Sequence, residues 1–193
     1  MLGRMLSRRQ VLRALGVGCA AVASPRLASA TLARAVTLPE LVGLSQYALV
    51  GRATGANSRW ETVGSSRRIV TYVQVEVTQP IDGRPPPDTT LFLRTLGGQV
   101  GDIGQLVHGE ARFELGAQSV VFVAPDEDGV LGITAMAQGH YPLRADTAGE
   151  VFRLRASPNM PSLTRIDGSA VQRLVSRTVL EAEGLVSEIM HAP

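Results

Sequence analysis

Ile69-Val70-Thr71-Tyr72-Val73-Gln74-Val75-Glu76-Val77 decides how the chain folds. Side chains of an extended strand alternate between faces, so Ile69, Thr71, Val73, Val75 and Val77 share one side. Val70 and Tyr72 make the opposite side apolar at its start, and Gln74 and Glu76 make it polar at its end. At roughly 3.3 Å per residue such a stretch spans about 30 Å. A strand that is double-sided at one end and single-sided at the other suits a small barrel, where one strand serves two layers.

Working outward, Thr37-Leu38-Pro39-Glu40-Leu41-Val42-Gly43-Leu44 predicts a short helix. Thr37 caps it, Pro39 and Glu40 suit its first turn, and Leu38, Leu41, Val42 and Leu44 supply an apolar face. Tyr47 to Thr54 reads as a strand, followed by a Gly-, Asn- and Ser-rich turn to Trp60. Pro85-Pro86-Pro87 excludes a ladder between Asp82 and Asp88. Thr90 to Leu96 is the next strand, and Gly98 to Gly104 a glycine-rich loop that needs positive φ. Short segments near Leu106-Val107 and from Arg112 to Leu115 lead to a buried strand, Ser119 to Val123. A turn at Pro125 to Gly129 joins it to its hairpin partner, Val130 to Ala137. Tyr141 to Arg144 and Val151 to Arg155 form a last, smaller pair. From Ser169 the apolar period becomes helical (Val171, Leu174, Val175, Thr178, Ala182, Leu185, Ile189), with a break expected near Gly184. The expectation is a mainly β chain: a small β-barrel over residues 31–156, a short N-terminal helix, then a linker and amphipathic C-terminal helix over 157–193.

The run Tyr47-Ala48-Leu49-Val50-Gly51-Arg52, the long strand from Arg68, and Phe113-Glu114-Leu115-Gly116 leading into Val120-Val121-Phe122-Val123 carry a resemblance. Over roughly residues 37–145 the pattern is similar to an uncharacterised bacterial secreted domain. More distantly it resembles the netrin and metalloproteinase-inhibitor module, which implies an OB-like barrel. That inhibitor family chelates the peptidase zinc through an N-terminal cysteine. Residues 31–193 hold no cysteine, so peptidase inhibition stays only an alternative.

Residues 1–30 read as a cleavable export signal. Arg4, Arg8, Arg9 and Arg13 give a positive start, Val11 to Ala23 an apolar run too short to span a bilayer as a stable anchor, and Ala28-Ser29-Ala30 a small-x-small cleavage site. Ser7, Arg8, Arg9 and Leu12 look like a twin-arginine (Tat) motif, with Val11 and Arg13 where the motif usually has phenylalanine and lysine. A Sec signal is the competitor. Lipidation at Cys19, the chain's single cysteine, is disfavoured by Gly16 three residues before it. The resemblance implies the twin-arginine translocase and signal peptidase as partners, with the periplasm or the outside of the cell as destination.

Cleavage would invert the charge. All 19 basic residues are arginine; five lie before residue 31, leaving 14 against 17 acidic residues, a net charge of −3. The basic pI therefore belongs to the signal, and nucleic-acid binding, which needs clustered positive charge, is not expected. Without lysine, Schiff-base, P-loop and SxxK chemistry are excluded. No cofactor is called for.

The best candidate for a binding surface is the glycine-rich loop, with Gly98, Gln99, Asp102 and Gln105 at a barrel mouth beside His108. Its backbone amides could cradle an anion, but no helix pattern follows, so the dinucleotide fingerprint fails. Trp60 is either a stacking platform or, the favoured reading, a plug in the barrel end. Asp126, Glu127 and Asp128 lack the spacing of a calcium loop and read as a solvated turn. His108-Gly109-Glu110 has the spacing of half a zinc-deaminase signature, without its cysteines. No catalytic set is complete, and the expected function is a non-catalytic, exported binding domain with an unidentified extracytoplasmic partner. The rival is a metal-dependent hydrolase built on Asp102, His108 and Glu110, which requires two of these to converge with His140.

Overall fold

The computed structural model describes residues 33–147, 149 and 151–192. The export stretch with Arg8, Arg9, Leu12, Ala28 and Ala30, and Cys19 within it, lies outside the described residues.

The deciding stretch sits in β2 (Ser66–Pro80), which pairs antiparallel with β1 (Tyr47–Val63) in one long hairpin. The expected turn between Thr54 and Trp60 is strand instead: Gly55 faces Gln74, Asn57 faces Tyr72 and Trp60 faces Ile69. The chain reverses at Gly64 and Ser65, with Gly64 at φ 59°, a glycine-favoured first position of a two-residue hairpin turn. Turn-prone composition loses here because strand preference is set by cross-strand neighbours. A bulge between Ala53 and Gly55 also changes which β1 residues face inward, from Leu49 and Ala53 to Ala56, Ser58 and Trp60.

The remaining strands are β3 (Thr90–Leu96), β4 (Gly98–Val100), β5 (Ile103–Gln105), β6 (Gln118–Pro125), β7 (Leu131–Ile133), β8 (His140–Ala145) and β9 (Phe152–Leu154). Pairings run β1–β2–β3–β7–β6 and return from β6 to β1, so the sheet curls and partly closes. The weakest link is the parallel β3–β7 contact, a single pair of Arg94 with Gly132. β8 and β9 continue the sheet from β6. The segments near Leu106-Val107 and Arg112 to Leu115 form no strands; they cross the sheet as irregular chain.

Alternation along the apolar strands builds two cores. Val121 and Val123 of β6 join Leu49, Ala53, Val73, Val75, Leu91 and Leu93 on the concave side. Val120 and Phe122 face the other way, with Ala48, Val50 and Tyr141, under the helices. This double duty explains why Ser119 to Val123 reads as a continuous buried run.

Helix α1 (Leu38–Leu44) begins with the expected Thr37 cap, completed by Glu40 in a capping box, and buries Leu38, Leu41 and Val42. Leu44 is 62% exposed, against expectation, because its position six residues after Leu38 turns it away from the buried stripe. The C-terminal helix is two helices, α2 (Ala170–Leu174) and α3 (Val179–Met190). The break falls at Ser176, whose φ is 71°, and not at Gly184, which continues α3. A second capping box, Thr178 with Glu181, restarts the helix. All three helices share the outer core with β1, β6, β8 and β9, and the described residues cluster as one compact unit. No helix among the described residues is long and apolar enough to cross a membrane.

Candidate functional site

The glycine-rich stretch folds as a tight β4–β5 hairpin, not as a wide loop. It lies across the concave face of the β1–β2 hairpin, and glycine is what permits the approach. Gly98 has φ 128°, and a Cβ there would collide with the Thr71 and Ser58 hydroxyls. Those hydroxyls hydrogen-bond each other at 2.8 Å, and Thr71 Oγ1 donates to the Gly97 carbonyl at 2.7 Å. The Ile69 amide donates to Gln105 Oε1 at 2.7 Å, so the Gln105 side chain stands where a strand neighbour would be.

Between this hairpin, the inner faces of β2 and β3, and the chain from Leu106 to Leu115 lies a groove of about 520 Å³. Small-molecule sites run from roughly 300 to 1,000 Å³. Thr71, Val73, Thr95 and Leu96 form its sheet side; Gly98, Gln99 and Gln105 its hairpin side. Phe113, Leu106 and Leu115 supply an apolar rim, on which Leu106 and Leu115 are exposed. Gly98, Gln99 and Gln105 were legible as candidates; the lining from β2, β3 and residues 106–115 was not, because only the fold brings those segments together.

The other expected residues fall elsewhere. Asp102 lies at the exposed hairpin tip and His108 on an exposed loop, neither lining the groove. Asn159 Nδ2 donates to the Val107 and Glu110 carbonyls and fastens that loop, a constraint hidden in what reads as a linker. Trp60 is not a plug: it is 37% exposed on the distal arm of the hairpin, with the Arg67 guanidinium over its ring at 5.2 Å. The strand runs past the partly closed part of the sheet there, so the indole stays partly exposed beneath Arg67.

Glu110 is only 7% exposed and is part of the groove wall. Its carboxylate accepts hydrogen bonds from the Ala111 amide, at 3.1 Å, and from the Leu96 amide. Burial pushes the carboxyl up from its ordinary value, against those two amides. It also lines a second cavity of about 250 Å³, with Arg94, Asp126, Glu127 and Asp128.

Arg94, buried on β3, ties that second cavity together. Its guanidinium bonds Glu61 at 2.6 Å, Asp128 at 2.6 Å and Asp126. Burial opposes its charge, but the bonds it donates to Asp128, Glu61 and Asp126 outweigh burial and raise its pKa. Burial likewise pushes the Glu61 carboxyl up, and hydrogen bonds from Arg59, Arg94 and Tyr72 bring it below its ordinary value. Asp126 and Asp128 are therefore not a merely solvated turn; they hold β7 and the β6–β7 turn to β3 through one guanidinium. A lone arginine in an apolar strand was the available signal, since a buried cation needs carboxylates close by.

His140 does not join Asp102, His108 or Glu110. It is buried, Nδ1 lying 3.0 Å from Ser157 Oγ and Nε2 3.1 Å from Ser119 Oγ. Burial, with Arg144 adding to it, pushes the imidazole down to about 4. A serine beside a neutral imidazole has the order of a nucleophile and base, and Ser119 and His140 line a cavity of about 240 Å³, but both ring nitrogens are taken by serine hydroxyls and no carboxylate orients the ring. The trio reads as a satisfied polar network that pins β6, β8 and the segment at Ser157 together. Among the described residues no group of three His, Cys, Asp or Glu is placed to hold a metal ion. Compared with known proteins, the chain matches no family model, no curated protein and no solved structure.

Proposed function

We propose that this protein is a non-catalytic binding domain that takes its ligand in the groove between the β2–β3 inner face and the β4–β5 hairpin. The observation that carries the reading is the groove itself. It has small-molecule size, an apolar rim and a few inward polar groups, the usual composition of a ligand site. The hydrolase reading loses its support because the side chains it needs do not come together.

The reading draws further support from strand order. A ring β1–β2–β3–β7–β6 with β3 parallel to β7 is what an OB-like barrel would use, and OB folds bind ligands on their second and third strands and adjoining loops. Thr71, Val73, Thr95 and Leu96 belong to those strands. We further infer from Arg8, Arg9, Leu12, Ala28 and Ala30 that the domain acts after twin-arginine export, in the periplasm or outside the cell.

The test is a melting-temperature screen of the full chain against a chemically diverse fragment set, run in parallel on Ala56→Trp. Ala56 lines the groove yet is exposed, so the indole fills the site without entering the core. Fragments that stabilise the wild type and not Ala56→Trp are expected; fragments that stabilise both equally, or none at all, would count against the groove. Export is tested by Arg8→Lys with Arg9→Lys, which should retain the precursor in the cytoplasm; unchanged export would indicate a Sec signal.

A further inference from the structure

We infer that the groove selects a ligand with a positively charged nitrogen head on an apolar stem, such as an alkylamine or an arginine side chain, with Glu110 as the counter-ion. The inference rests on the groove being a ligand site and adds the chemistry it recognises. Three observations lead to it. Glu110 is the buried carboxylate of the groove wall, and its described partners are the two backbone amides. Among the described residues no arginine or histidine pairs with it, although every other strongly buried charge has a partner: Arg94 has three carboxylates and Asp82 has Arg84. A buried carboxylate left without a cation is costly, and a cationic ligand would relieve that cost.

Glu110 also lines the second cavity, whose one lining guanidinium, that of Arg94, is already shared among Glu61, Asp126 and Asp128. Arg112 also lines the groove, but it is exposed, where water and salt weaken its charge far more than that of the buried carboxylate. The apolar rim of Leu106, Phe113 and Leu115 would hold the stem, leaving the head to reach the wall. Asp82 offers the internal contrast: it is as buried as Glu110, but Arg84 Nη2 lies 2.7 Å from it and the Ala48 amide 2.9 Å, so it has nothing to offer a ligand.

The experiment compares isosteric heads on the full chain by calorimetry and amide chemical shifts. Isoamylamine, isoamyl alcohol and isovalerate form one series; N-acetyl-arginine methylamide and its citrulline analogue form the second. The cationic member is expected to bind on the order of tenfold tighter than its neutral isostere, and Glu110→Gln to bring that ratio close to one. Preference confined to the arginine pair points to a side chain of a partner protein; preference confined to the amine points to a small molecule. Equal binding within each series, or tighter binding of isovalerate, would overturn the assignment while leaving the groove a binding site. No binding by any member to the wild type, together with a failed fragment screen, would sink the groove reading itself. If Glu110→Gln does not fold, the wild-type series decides alone.

Discussion

The two faces of β6 receive nearly the same residues and end in different structures. Val120 and Phe122 are sealed beneath α1, α2 and α3; Val121 and Val123 belong to a core whose lining continues into an open groove. The sealed side gathers the largest buried side chains, Tyr141 and Phe122 among them, while the open side carries Thr71, Thr95 and Glu110 among its aliphatics. Apolar patterning alone cannot separate a face that holds the fold from one that receives a ligand. What separates them is cover: the three helices close over one face, whereas the β4–β5 hairpin and residues 106–115 leave a groove over the other.

That contrast can be broken at four points. Truncating Phe122 to Ala on the sealed side should cost about 3–5 kcal/mol in urea unfolding, as for buried aromatic side chains generally. A loss below about 1 kcal/mol would mean that the helices do not seal that core.

His140 should make stability fall with acid. Its imidazole is held near 4 in the fold against 6.5 ordinarily, so the unfolded chain binds the proton first. The stabilisation is whole above 6.5 and is lost as pH falls from 6.5 toward 4, amounting to about 3 kcal/mol. Imidazole proton shifts followed through a pH titration check the low value, and urea unfolding across the window checks the slope. Glu61, held below its ordinary value, adds a loss that begins only on the acid side of 4.5.

Arg94→Met should cost about 2–3 kcal/mol, less than a fully buried pair because Asp126 and Asp128 are partly solvated. Hydrogen exchange should then show β7 loosening from β3 before the helix-covered face does. Smallest is Leu106→Ala on the groove rim, expected within about 0.5 kcal/mol in stability because the side chain is half exposed. A larger loss would make that rim part of the core and weaken its reading as a ligand surface.

Much of this was legible in the chain. The alternation from Ile69 to Val77, the capping signal at Thr37 and Glu40, and the turn after Pro125 each follow from local rules. Residues 55–60 misled because glycine, asparagine and serine signal a turn only when no partner strand is present to pair with them. Ser176 hid the helix break because a left-handed serine leaves little mark in composition, whereas Gly184 carries an obvious one and sits inside a continuous helix. At the site, Gly98, Gln99 and Gln105 could be picked out because their glycine-rich context is unusual. Glu110 could be noticed only as one member of a metal set. That it lines two cavities depends on residues distant in sequence, among them Leu96, which lines both, and Asn159, which fastens the loop.

The most direct measurement is an amide chemical-shift map of the full chain titrated with the fragment that best raises its melting temperature. The largest changes are expected at Thr71, Val73, Thr95, Leu96 and Gln105, and Ala56→Trp should abolish them. Changes centred on the helix-covered face or the distal arm at Trp60, or a map unaltered by Ala56→Trp, would contradict it.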